Sequence, residues 1–141
     1  MKSNIRQAFR NDIVGMHRVR LAVRENRLTS NVISEASYIP EIEGSGRGWV
    51  VEQNGEVVAF AIGNSETGNI WALFVDPDHE RQGHGRKLHD QMVSWLWNRG
   101  VFRLSLSTAV DTRAQHFYES AGWQDVGRTA KGDVKFELLR S

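Results

Sequence analysis

Residues 75–88 read Val75-Asp76-Pro77-Asp78-His79-Glu80-Arg81-Gln82-Gly83-His84-Gly85-Arg86-Lys87-Leu88. An apolar strand, Asn69 to Val75, stops at Asp76-Pro77, a polar turn carries two glycines in a Gly-x-Gly pattern, and a helix begins at Gly85. Glycine lets a backbone adopt positive φ and lets a ligand come close. The first N–H groups of a helix have no partner within it and carry partial positive charge, so this place favours an anion. Arg81, Arg86 and Lys87 add formal charge, and together these features suit a pyrophosphate. The plainer alternative is a solvated strand-to-helix loop whose glycines only turn the chain. Two other phosphate motifs are absent: the spacing matches neither a P-loop nor the dinucleotide fingerprint.

Working outward, Trp49 to Glu52 and Val57 to Ile62 form a hairpin around Asn54-Gly55, a strong two-residue turn signal. Asn4 to Phe9 is a first strand, followed by a helix capped at Asn11 or Asp12. A second, weaker helix runs from Ser34 towards Ile42, limited by Pro40. The helix from Gly85 to Arg99 carries Leu88, Met92 and Trp95 on one stripe and ends at Gly100. Phe102 to Ser107 is a strand, Thr112 to Ala121 a helix, and Trp123 to Gly127 and Val134 to Leu138 the last strands. This order predicts an α/β or α+β domain with a mostly antiparallel sheet and one parallel step around the Gly85 helix.

The second informative segment is Thr112-Arg113-Ala114-Gln115-His116-Phe117-Tyr118-Glu119-Ser120-Ala121-Gly122-Trp123. Ala114, Phe117, Tyr118 and Ala121 share one side of this helix. Taken alone, Tyr118 reads as an ordinary core tyrosine.

Together the Val-x-Pro turn, Gly-x-Gly helix start and Phe-Tyr-x-x-x-Gly-Trp segment resemble the GCN5-related N-acetyltransferases (GNAT family) from about Trp49 to Leu139. The resemblance implies a mixed, mostly antiparallel twisted sheet of about six to seven strands, flanked by about four helices, with central parallel strands that splay apart. It implies one domain over residues 1–141 and an acetyl-CoA-dependent N-acetyltransferase acting directly on a primary amine of a small molecule or protein. A non-catalytic module that binds CoA as a regulatory ligand is the alternative. Acetyl-CoA would lie between Ile70–Val75 and Arg103–Ser107. Its pyrophosphate would take backbone N–H groups across Arg81, Gln82, Gly83, His84, Gly85 and Arg86, and its pantetheine would pair with Phe74 and Val75. The N–H near Leu73 would polarise the thioester carbonyl, and Tyr118 would protonate the departing thiolate. Such a backbone donor is worth about 3 kcal/mol and such an acid ~10²–10⁴-fold.

The sequence departs from the family pattern in three places. Glu80 stands where Gln or Arg is usual, with Arg81 where glycine is frequent, so the Glu80 side chain should point away from the anion. Asp111 stands where an Asn often contacts the cofactor; it can cap a helix but would repel phosphate. Asn69, Ile70 and Trp71 supply no general base where some members carry Glu. A water chain, Glu25, Glu35 and Asp76 remain the options.

Composition bounds the rest. The chain has 141 residues, 40% hydrophobic and 25% charged, with 18 Lys and Arg against 17 Asp and Glu. That length is one domain able to bury roughly 68–70% of its unfolded surface. A net charge of +1 argues against a general nucleic-acid or membrane-surface role. No apolar run approaches the ~20 residues that cross a bilayer, and Met1 to Arg6 lacks a secretory apolar stretch. With no cysteine, disulfides, thiolate metal sites and a cysteine-linked acetyl-enzyme are excluded. The expected location is the cytoplasm.

His79, His84 and His89 are five residues apart and do not share a helical face, so solvated or phosphate-adjacent rings are expected and no metal. Of Trp95 and Trp97, one should be core and the other exposed or in a homodimer contact. Trp71 suits either an acceptor pocket or the core. Arg20, Arg24 and Glu25 lie on the first helix; the arginines fit either a solvated face or an acceptor carboxylate.

Overall fold

A computed structural model describes residues 3–23 and 33–140. Arg24 and Glu25 lie outside the described residues. The described chain forms seven strands and four α-helices. In order these are β1 (Ser3–Gln7), α1 (Ile13–Ala22), α2 (Tyr38–Glu43), β2 (Gly46–Gln53), β3 (Glu56–Asn64), β4 (Ile70–Val75), α3 (His84–Asn98), β5 (Arg103–Thr108), α4 (Arg113–Ser120), β6 (Gln124–Arg128) and β7 (Val134–Leu139). The strands make two antiparallel sheets, β1-β2-β3-β4 and β5-β7-β6.

The β2–β3 hairpin turns at Asn54 and Gly55, both left-handed at φ 52° and 79°. Two left-handed residues match the right-handed twist of the flanking strands, which is why Asn-Gly marks the turn. β3 is buried along almost its whole length, because α1 covers one face and α3 the other. Phe60 and Ile62 join Met16, Val19 and Tyr38 beneath α1 and α2. Ala59 and Ala61 join Leu88, Met92 and Leu96 of α3, together with Tyr118, Trp123 and Phe136.

Several local expectations change. Asp12 does not cap α1 with its side chain. It closes the preceding 3-10 turn by accepting from the Phe9 N–H at 2.8 Å, and it takes two bonds from Arg6 at 2.8 and 2.9 Å. α2 is only six residues long, and Pro40 sits in its first turn, where a missing N–H costs nothing. Both Trp95 and Trp97 are half-buried against the core. Trp95 meets Trp49 edge-on at 5.5 Å with the Arg47 guanidinium 4.9 Å from its ring, so neither tryptophan is a free apolar patch.

Candidate active site

The two sheets touch through one parallel bridge, Asn69 to Ser105, backed by the Ser105 N–H donating to the Gly68 carbonyl at 2.9 Å. A Cβ on Gly68 would come within 2.3 Å of the Arg103 carbonyl oxygen, and Gly68 has φ +73°. Only glycine lets the strands approach there. Beyond that joint β4 pairs with β3 and β5 pairs with β7, so the facing edges of β4 and β5 diverge. Alternate peptide groups of β4 therefore face a gap with no strand to satisfy them. The gap widens into a cleft of about 1130 Å³, lined by the end of α1, all of β4, the turn after it, the start of α3, the end of β5, α4 and Asp133.

The turn after β4 is built by Asp76. Its carboxylate accepts from the Asp78 N–H at 3.0 Å and from Arg18 at 3.1 Å, and Arg18 also donates to the Val57 carbonyl at 2.6 Å. Burial works to raise the Asp76 pKa, but the Asp78 N–H and the Arg18 cation outweigh it and hold the carboxyl below its ordinary value. A carboxylate so firmly ionised and so fully engaged is a poor proton acceptor. Arg81 and Gly83 are left-handed, at φ 64° and 83°. The first intrahelical bond of α3 runs from the Lys87 N–H to the Gly83 carbonyl at 3.1 Å. The N–H groups of His84, Gly85 and Arg86 precede it and are free to take an anion. A Cβ on Gly85 would meet Val75 and Phe117 only at ordinary contact, 3.6 and 3.7 Å, so Gly85 is a matter of snug packing and Gly83 one of backbone conformation.

The sequence-derived residues divide cleanly. Leu73, Phe74, Val75, Arg81, Gly83, His84, Gly85, Arg86 and Tyr118 all line the cleft. Gln82 and Asp111 do not. The Gln82 side chain turns towards β2, where it accepts from Gln53 at 2.9 Å and lies 3.0 Å from the His84 ring. Asp111 is exposed and left-handed at φ 61°; its N–H donates to the Gln115 side chain. Thr112 caps α4, accepting from the Gln115 N–H at 3.2 Å. Glu80 pairs with Arg113, which neutralises the misplaced acid beside the turn. Arg86 shares its charge with Asp90 at 3.1 Å.

His84 and His89, expected in solvent or beside phosphate, are both 3% exposed. Burial lowers the pKa of each, so both rings are neutral near pH 7. Tyr118 is also buried, between Phe117, Trp123 and Phe136. Burial raises its pKa, which keeps the phenol protonated.

Two further residues of the cleft lie outside the sequence motifs: Arg20, which on sequence fits either a solvated face or an acceptor carboxylate, and Asp133, which the sequence does not single out. Arg20 is almost wholly buried at the end of α1, under Trp71 and Phe74. Asp133, from the β6–β7 loop, brings a carboxylate that has no cation beside it among the described residues. Nothing in its local sequence marks it. Of the earlier candidates for a base, Glu35 is exposed and outside the cleft lining, and Asp76 is tied to Arg18.

The sequence profile of the Acetyltransferase (GNAT) family matches residues 11–123. The chain belongs to the GNAT family of acetyltransferases. The Escherichia coli K12 ribosomal protein bS18-alanine N-acetyltransferase is 38% identical over 76 residues, covering 52% of this chain and 51% of the relative. A mycothiol acetyltransferase of Beutenbergia cavernae is 33% identical over 84 residues, 55% of this chain and 28% of the relative. The matched span is thus about half the length of the bS18-alanine relative and less of the other. In three dimensions this GNAT chain resembles the crystal structure of the E. coli S18-alanine enzyme (TM-score 0.79, 23% identity, 99% of this chain and 95% of that). It also resembles Ard1 of Thermoplasma volcanium (TM-score 0.81, 19% identity, 100% and 99%). The PaiA N-acetyltransferase of Thermoplasma acidophilum, solved with coenzyme A, shares the fold at TM-score 0.76 and 14% identity, over 99% of each chain. Among the described residues no helix is long and apolar enough to cross a membrane.

Proposed function

We propose that this GNAT chain transfers the acetyl group of acetyl-CoA directly to a primary amine, on a small molecule or a protein. The observation that carries this reading is the coincidence, in one cleft, of the open β4 edge, the amides from Gly83 to Arg86 and the protonated Tyr118. The amides would hold the pyrophosphate, and Phe74 and Val75 would pair with the pantetheine arm. The thioester carbonyl would then lie against the N–H near Leu73, which would stabilise negative charge developing on the oxygen. The amine nitrogen attacks the carbonyl carbon, the carbon–sulfur bond breaks, and Tyr118 donates its proton to the departing thiolate. The amine gives up a proton as the amide forms. Asp133, a cleft carboxylate with no cation beside it among the described residues, would accept it, directly or through water.

A chain of this chemistry works where acetyl-CoA is made, which supports a cytoplasmic setting. The acceptor named for one relative, an alanine of ribosomal protein bS18, is consistent with an amine acceptor. The test is free-thiol release from acetyl-CoA across a panel of amines, run beside calorimetry with coenzyme A. Binding together with amine-dependent thiol release is expected. Binding without release for any amine would identify a CoA-responsive module, and no binding at all would overturn the assignment.

A further inference from the structure

We propose that Arg20 recognises a carboxylate on the acceptor, so that the preferred substrates are amines carrying a carboxylate in the same molecule. This deepens the transferase reading and rests on it.

Arg20 is 4% exposed, yet among the described residues no carboxylate pairs with it. Its Nη2 donates to the Trp71 carbonyl at 3.3 Å. Its Nε and Nη1 are closed off from water and make no hydrogen bond. The guanidinium is held by aromatic faces instead, 4.4 Å from the Trp71 ring, 5.0 Å from Phe74 and 5.6 Å from Tyr38. Cation–π contact and the Tyr38 hydroxyl offset part of the lost hydration but leave Nε and Nη1 without a partner. An arginine cannot escape this by losing its proton. A buried cation with free donors and no counter-ion is a costly arrangement that a leucine or methionine would avoid if packing were its only role.

Its position supplies the reason. Arg20 forms part of the cleft wall at the end of α1, against Trp71 of β4, the strand whose later residues, Leu73 to Val75, line the same cleft. The amides and arginines of the Gly83 turn occupy the other end and serve the coenzyme. The donors of a planar guanidinium lie in pairs along its edges, and the second N–H of Nη2 with either partnerless nitrogen matches the two oxygens of a carboxylate once the side chain turns from under the rings into the cleft. Tyr38 fixes the platform from behind, itself held by His17 at 3.1 Å and packed edge-on against Trp71 at 5.0 Å. Trp71 is the extra residue where the β3–β4 register shifts, which turns that position out of the regular ladder.

The experiment compares glycine, β-alanine and γ-aminobutyrate with their primary amides, by thiol release, in the native chain, Arg20→Met and Arg20→Lys. In the native chain at least one acid should exceed its amide at least 10-fold in kcat/KM. Arg20→Met should bring that ratio close to one with CoA affinity within about twofold, and Arg20→Lys should retain part of the preference. If Arg20→Met does not fold, the fall in ratio for Arg20→Lys carries the comparison. Equal rates for acids and amides in the native chain, or an equal loss for both in the variants, would overturn the proposal. A second readout separates it from the transferase reading: thermal stabilisation of the CoA-loaded protein by the amino acids alone. A shift in the native chain that is missing in Arg20→Met supports the carboxylate site even if no thiol is released. Absence of both shift and release overturns both.

Discussion

The Trp123 indole N–H donates to His89 Nε2 at 2.9 Å, and the other ring nitrogen of His89 lies 2.9 Å from the Asp90 carboxylate. The indole bond requires an unprotonated Nε2, so the proton of the neutral ring sits on Nδ1 and points to Asp90. His89 thereby ties α3 to the Gly-Trp end of α4, and Trp123 in turn packs edge-on against Tyr118 at 5.4 Å. The residue that would carry the proton in catalysis is supported by a bond that exists in one protonation state of a histidine.

The consequence is a pH-dependent stability. Burial lowers the His89 pKa, with Asp90 opposing it, and burial lowers that of His84 as well. A histidine depressed in the folded state contributes stability above its unfolded value, near 6.5, and loses it as pH falls through the folded value. The melting temperature should hold above about pH 7 and fall as the pH drops below about 6.5, towards the lowered folded-state values. His89→Gln, which keeps an acceptor for Trp123, should flatten part of that fall. An unchanged profile in the variant would remove His89 from the explanation.

Tyr118→Phe deletes the hydroxyl and keeps the ring that packs on Trp123 and Phe136. Turnover should drop ~10²-fold or more, with CoA affinity by calorimetry nearly unchanged and the melting temperature close to native. A variant with undiminished turnover would show that the thiolate takes its proton from elsewhere.

Glu80 and Arg113 form an ion pair at the edge of the turn that would hold the pyrophosphate. Arg113→Gln should weaken CoA binding several-fold, because it leaves the Glu80 charge facing the phosphates. Glu80→Gln alone should bind as well as the native chain or better, and the double variant should recover most of what Arg113→Gln loses. Additive losses in this cycle would mean that the two side chains act independently.

Gly68→Ala places a methyl group against the Arg103 carbonyl at a left-handed position. The joint between the sheets must then open, at a cost of about 2 kcal/mol or more. Urea unfolding should register that loss. Gly85→Ala, where the added carbon meets only ordinary contacts, should cost far less. Similar losses at both glycines would contradict the splay geometry described above.

The strand-turn-helix run from Val75 to Leu88 was legible because its signals are local: a proline that stops a strand, a glycine needed at φ +83°, and a helix start with free amides. The Asn54-Gly55 hairpin was legible for the same reason. Asp111 was misplaced by one position: the capping oxygen belongs to Thr112, and the two residues carry similar capping signals in the sequence. Arg20 shows the harder limit. On α1 alone it is one more charge on a helix, beside Val14 and Leu21, which are exposed. Its burial depends on Tyr38 and Trp71, brought to it from α2 and β4. The burial of His84 and His89 was hidden similarly, since ring partners come from Gln53 of β2 and from Trp123, three residues beyond α4.

From the order of residues alone came the kinds of element, their succession, an anion-favouring helix start and a tyrosine on the right face of a short helix, because each depends on neighbours within a few positions. The tertiary structure alone decided that β4 and β5 part after one bridge, that Glu80 is neutralised by Arg113, that Asp133 lines the cleft and that Arg20 is a buried cation with no counter-charge among the described residues. Those facts depend on which distant segments share a desolvated space, and charge, pKa and hydrogen-bond satisfaction are properties of that space rather than of any stretch of chain.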